Sequence, residues 1–83
     1  MQIQVTGKQI DVGAALRTHA TEEISAMAGK YAGRPTDAQV VFTRDAHRHV
    51  CEIVLHLSTG LTARARATAD EPYAGFDLCR EKL

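Results

Sequence analysis

Residues Val50 to Thr68, VCEIVLHLSTGLTARARAT, decide how this chain folds. Cys51, Ile53, Leu55 and Leu57 alternate with Val50, Glu52, Val54 and His56. After Ser58-Thr59-Gly60, Leu61, Ala63, Ala65 and Ala67 alternate with Thr62, Arg64, Arg66 and Thr68. A period of two is the pattern of half-buried antiparallel strands, because successive side chains point to opposite faces. One face is apolar and the other carries Glu52, His56, Arg64 and Arg66, which predicts a sheet packed on one side and wet on the other. Two helices suffice to cover the dry side.

Working outward, Gln2 to Thr6 alternates in the same way, with Ile3 and Val5 facing the core, and Gly7-Lys8 is read as the turn that ends this strand. From Asp11 to Tyr31, Leu16, Ala20, Ile24, Met27 and Tyr31 recur at steps of three and four, the stripe of an amphipathic helix. Asp11 or Gly13 suits its N-terminal cap, and Gly33 with Pro35 ends the pattern. Gly29 in the last turn weakens that end by up to about 1 kcal/mol relative to Ala.

Asp37 to Arg44 sets Ala38, Val40 and Phe42 against Gln39, Val41 and Thr43, a further strand, and Asp45-Ala46-His47-Arg48 is read as the polar loop after it. The last helix follows Asp70-Glu71-Pro72, an acidic start with an early proline, and places Tyr73, Phe76, Cys79 or Arg80, and Leu83 at helical spacing. The expected order is β-α-β-β-β-α, an α+β two-layer sandwich with a four-stranded sheet and both helices on one face. A strand-helix-strand crossover makes the first two strands parallel. No capping residue ends the last helical pattern at Leu83, so residues 1–83 are expected to be one domain cut within its final helix.

A chain of 83 residues hides only about 60 to 65% of the surface its unfolded form exposes, which limits its stability. Ten basic against ten acidic side chains leave no net charge, so charge-driven binding has to come from local clustering. Two cysteines, no signal peptide and no apolar run near the roughly 20 residues of a membrane helix point to a protein of a reducing compartment, by default the cytoplasm.

Few residues carry the patterns of catalysis. His47, His49 and Cys51 sit two apart and suggest a partial metal site, but a structural zinc needs four ligands and the remaining candidates, His19, His56 and Cys79, are scattered. Cys51 falls on the dry face, where a thiol is filler, and Glu22-Glu23 reads as a solvated helix face. Without a phosphate-cradling glycine loop or a nucleophile elbow, neither enzyme activity nor a cofactor, metal ion or small-molecule substrate is expected. The cations lead further. Arg64 and Arg66 share the open sheet face, where they either pair with Glu52 or meet phosphate. The face lacks the paired aromatics of base-stacking sheets, so any RNA contact is to backbone and shape.

Met1-Gln2-Ile3-Gln4-Val5-Thr6-Gly7-Lys8, Ala15-Leu16-Arg17, Lys30-Tyr31, Val54-Leu55-His56-Leu57, and Asp70 with Tyr73-Ala74 and Asp77 resemble the N-terminal domain of ribosome hibernation promoting factors. Ribosome-associated inhibitors, also called sigma modulation proteins, belong to the same family. The resemblance covers all 83 residues and implies a domain similar in outline to double-stranded-RNA-binding domains. It implies binding to rRNA of the small ribosomal subunit at the decoding channel, over the A and P sites, so that translation is blocked by occlusion and ribosomes are stored as inactive pairs. Arg17, Lys30, Arg64, Arg66, Arg80 and Lys82 are the residues expected to meet RNA. Dimerisation of the full-length protein would use a C-terminal region absent here. Two features depart from the family pattern: Glu22, Glu23 and Ala26 stand where relatives commonly have lysines on the first helix, and only Arg80 and Lys82 represent the basic end of the second. The competing expectation is a protein-interaction module that dimerises through the open sheet face or an edge strand.

Overall fold

The alternating run forms two antiparallel strands, and both are longer at one end than the alternation alone suggests. In the computed structural model, which describes residues 1–31 and 34–83, β3 spans Arg48–Leu57 and β4 spans Thr62–Ala69. Cys51, Ile53, Leu55, Ala65 and Ala67 are buried as the period of two requires. Leu61 is not: it lies in the turn and is 68% exposed. Before β3 come β1 (Gln2–Lys8), α1 (Ala14–Ala28) and β2 (Pro35–Asp45), and α2 (Pro72–Lys82) follows β4. The sheet order is β1-β2-β3-β4, with β1 parallel to β2 and the other pairs antiparallel. The expected β-α-β-β-β-α sandwich is the one observed.

Both helices cover the same face. Leu16, Ala20, Ile24 and Met27 of α1 and Phe76 and Cys79 of α2 enter one core with Val5, Val40, Phe42, Ile53 and Leu55. Fully burying an aliphatic or aromatic side chain of this kind contributes about 1.5–3 kcal/mol. The helices lie side by side and run in the same direction. His19 Nε2 meets Asp77 Oδ1 at 3.1 Å, Arg80 Nε lies 3.8 Å from Glu23 Oε2, and Tyr31 Oη donates to the Leu83 carbonyl at 3.2 Å. Of Cys79 and Arg80, both of which suit the helical spacing, it is Cys79 that is fully buried.

Several boundaries differ from the sequence expectation. Gly7-Lys8 is not a turn, because β1 continues to Lys8 and the chain reverses at Gln9, whose φ is 62°. Gly7 is there for space: a Cβ would run into the Ile10 carbonyl and the Val12 side chain. Helix α1 starts at Ala14 with Gly13, not Asp11, as its N-cap, and its C-cap is Gly29, two residues before Tyr31. Gly33 lies outside the described residues. The loop Asp45–Arg48 shrinks to Ala46 and His47, because Asp45 pairs with Arg48 and Ala46 takes φ 57° to close the hairpin. At α2 the N-cap is Glu71, whose side chain makes no capping bond, and Pro72 opens the first turn.

Candidate nucleic-acid interface

The strand register fixes which side chains share the open face. Across the sheet from β1 to β4, one row is Gln2, Asp37, His56 and Thr62, and the next is Gln4, Gln39, Val54 and Arg64. Then come Thr6, Val41, Glu52 and Arg66, and finally Lys8, Thr43, Val50 and Thr68. This face is less wet than expected, since Val50 and Val54 are each only 8% exposed. Long neighbours cover them: Arg64 stands across from Val54, and Lys8, Glu52 and Arg66 line a dent of about 190 Å³ with Val41, Thr43 and Val50. Aliphatic stems lie on apolar surface while the charged heads stay in water. The face carries no Phe, Tyr or Trp among the described residues and one imidazole, His56, so it offers hydrogen-bond donors and charge but no paired aromatics for stacking bases.

Six cations were expected to meet RNA, and the structure sorts them into two groups. Arg64 and Arg66 are exposed on the open face, two residues apart on β4. Arg66 stands directly opposite Glu52, yet neither arginine takes part in an ion pair among the described residues. Of the helix-side cations, Arg17, Lys30 and Lys82 are exposed and Arg80 is half-buried, and all but Lys30 are engaged within the chain. Arg17 donates from Nη1 to the Val5 carbonyl at 2.7 Å, and Lys82 donates from Nζ to the Arg66 carbonyl at 3.0 Å. Both acceptors lie on edge strands of the sheet. Arg80 is half-buried and held near Glu23, and its Nε makes no hydrogen bond. Lys30 is exposed but lies beyond the C-cap of α1, where it lines a cleft of about 330 Å³ with Met27, Tyr31, Arg80 and Leu83.

Lys8 is the cation that the turn reading of Gly7-Lys8 set aside. The alternation Gln2, Gln4, Thr6, Lys8 carried the signal, because a period of two continued through Gly7 keeps Lys8 on the open face.

The remaining histidines and cysteines are spread over the described residues. Among the described residues no three of His, Cys, Asp and Glu cluster as metal ligands. His47 is exposed in the β2–β3 turn, His49 is paired in β3 rather than solvated in a loop, and His56 Nε2 lies 4.0 Å from Asp37 Oδ2. Cys51 and Cys79, far apart in sequence, meet in the core as free thiols. The hydrogen bond to Cys79, together with burial, pushes the Cys51 thiol well above its ordinary value, so it stays protonated and unreactive. No helix among the described residues is long and apolar enough to cross a membrane.

Similarity to known proteins agrees with this architecture. The sequence profile described as sigma 54 modulation protein / S30EA ribosomal protein matches residues 3–83. The ribosome hibernation promoting factor of Azotobacter vinelandii is 36% identical over 83 residues, which is 100% of this chain and 76% of that protein. The ribosome hibernation promotion factor of Rhizobium meliloti (strain 1021) is 30% identical over 83 residues, again 100% of this chain but 44% of the relative, so the chain spans less than half of that protein. Among solved structures, a ribosomal subunit interface protein from Coxiella burnetii matches with a TM-score of 0.88 at 26% identity, covering 100% of this chain and 89% of that one. The N-terminal domain of Thermus thermophilus Protein Y shares the fold, with a TM-score of 0.87 at 21% identity over 100% and 91% of the two chains. With the same strand and helix order, and a profile match running through to the last turn of α2, this chain belongs to the sigma 54 modulation protein / S30EA ribosomal protein family.

Proposed function

We propose that this domain acts in ribosome hibernation: it binds the small ribosomal subunit at the decoding channel through rRNA phosphates and blocks access of messenger and transfer RNA. The observation that carries the proposal is the end-to-end alignment with a ribosome hibernation promoting factor, 36% identical over all 83 residues. Fold similarity to a ribosomal subunit interface protein supports it. So does the physics of the open face, where Arg64 and Arg66, in no ion pair among the described residues, can neutralise phosphates without reading bases. Inhibition is then occlusion, with no bond made or broken, and the work is done in the cytoplasm where ribosomes are. Pairing of ribosomes belongs to the whole factor, of which these 83 residues form the ribosome-binding domain.

The test is co-sedimentation of the protein with purified small subunits across a salt series. Binding that falls steeply as salt rises is the expected result, because each phosphate contact releases a condensed counterion. A stable dimer that does not sediment with subunits would instead make the domain a protein-interaction module.

A further inference from the structure

We infer that Glu23 competes with RNA for Arg80: the carboxylate holds the guanidinium in the free domain, and a phosphate takes it over when the helix layer meets RNA. The inference rests on the hibernation proposal and names a contact within the chain that weakens the binding. Three observations carry it.

First, the pair is formed loosely. Arg80 Nε lies 3.8 Å from Glu23 Oε2, too far for a hydrogen bond, and the two side chains are 31% and 38% exposed. Arg80 Nε is itself shut off from water and makes no hydrogen bond. A buried donor without an acceptor is costly. The seat beside Glu23 therefore leaves Arg80 short of a bond, and a phosphate accepting from the turned guanidinium supplies it.

Second, the two helices do not depend on this pair to stay together. One helical turn earlier, His19 Nε2 meets Asp77 Oδ1 at 3.1 Å, and beyond it Tyr31 Oη donates to the Leu83 carbonyl at 3.2 Å. Leu16, Ile24, Phe76 and Cys79 anchor both helices in the core below. Arg80 can leave Glu23 without parting α1 from α2.

Third, the released guanidinium has a second cation beside it. Arg80 and Lys30 line one cleft of about 330 Å³ with Met27, Tyr31 and Leu83, and no carboxylate side chain lines it among the described residues. Lys30 is exposed and takes part in no ion pair or side-chain hydrogen bond among the described residues. Together they make a seat for one phosphodiester, with arginine giving directed bonds and lysine a point charge. Glu22, the residue before Glu23, is exposed and in no ion pair among the described residues, which makes it the matched control.

The experiment is co-sedimentation of the full chain with purified small subunits over a salt series. Glu23→Gln is expected to raise the affinity about threefold, as the loss of a weak, half-exposed ion pair allows. Glu22→Gln changes the net charge equally but releases no cation, and is expected to raise it about 1.5-fold or less. Arg80→Met keeps the apolar stem, and is expected to lower the affinity about fivefold and to reduce the slope of log affinity against log salt by about 0.7–0.9. In the Arg80→Met background, Glu23→Gln is expected to gain no more than Glu22→Gln does. A thermal melt of each variant separates lost contact from lost fold, and the comparison of Glu23→Gln with Glu22→Gln stands without any change at Arg80.

A gain from Glu23→Gln that persists without Arg80, or that is no larger than the gain from Glu22→Gln, overturns the inference and reduces Glu23 to general repulsion. An unchanged salt slope in Arg80→Met overturns it as well. These results leave hibernation standing, because the wild type still sediments with the subunits. Failure of both the wild type and Glu23→Gln to sediment removes hibernation itself, and the inference falls with it.

Discussion

Lys82 of α2 donates from Nζ to the carbonyl oxygen of Arg66 at 3.0 Å, so a cation from the last helical turn sits on the outer rim of β4. Arg17 of α1 does the same on β1 through the Val5 carbonyl at 2.7 Å. β1 and β4 are the two edges of the sheet, and exposed edges invite pairing with another chain. Each helix thus contributes one charged guard to the strand beside it.

Removing both guards, Arg17→Met with Lys82→Met, is expected to reduce stability by about 0.5–1.5 kcal/mol per lost hydrogen bond. The larger expected effect is on association: sedimentation velocity should show concentration-dependent oligomers in the double variant and not in the wild type. A double variant that sediments as the wild type does at every concentration would show that the edges are protected by other means.

Two glycines test how closely the chain packs around them. At Gly7 a new Cβ would meet the backbone oxygen of Ile10 and the Val12 side chain, so Gly7→Ala is expected to cost about 1–3 kcal/mol in urea unfolding. At Gly75 the nearest atoms to a new Cβ are His49 O at 3.4 Å, Ala69 Cβ at 3.8 Å and Cys51 Cβ at 4.0 Å, all ordinary contacts. Gly75 lies inside α2, where alanine is favoured over glycine by about 1 kcal/mol, so Gly75→Ala is expected to stabilise. Opposite signs at the two sites are the outcome that checks the packing.

Burial pushes the Tyr31 phenol above its ordinary value of 10.0, and its hydroxyl donates to the Leu83 carbonyl. The fold favours the protonated form, so its contribution is whole below about pH 10 and is lost as pH rises through the higher folded-state value. The stability difference between wild type and Tyr31→Phe should be flat from neutral pH to about pH 9 and shift against the wild type above about pH 10. A difference that is already changing near neutral pH would contradict this.

Cys51 and Cys79 are 1% and 0% exposed. Neither is expected to react with an aromatic disulfide reagent in the native protein, and both should react in denaturant. Fast native labelling of either thiol would mean that α2 lifts from β3 far more readily than its packing implies.

Within the strands, periodicity tells which face a side chain takes, although not at Leu61, which lies in the turn. The alternation from Val50 to Thr68 placed Cys51, Ile53 and Leu55 in the core and Arg64 and Arg66 on the open side. Periodicity does not encode distances between elements. Gly7 was read as a turn because its reason, the chain folding back so that Ile10 and Val12 lie against it, is a matter of space that alternation does not encode. Val50 and Val54 fell on the polar face, and only the register shows the long side chains that shelter them. The cations are the sharpest case. Nothing in the spacing of Arg17, Arg80 or Lys82 says that a carbonyl or carboxylate already engages them.

The parallel pairing of β1 with β2 sets an order of assembly. Strands β2, β3 and β4 and helix α2 follow one another through short reversals, so that portion closes its loops with little loss of chain entropy. β1 reaches β2 only after residues 9–34 have been gathered in, a separation that slows pairing. The amino-terminal ribbon is therefore expected to dock last and open first, and of the four strands it should show the fastest amide exchange although Val5 is buried.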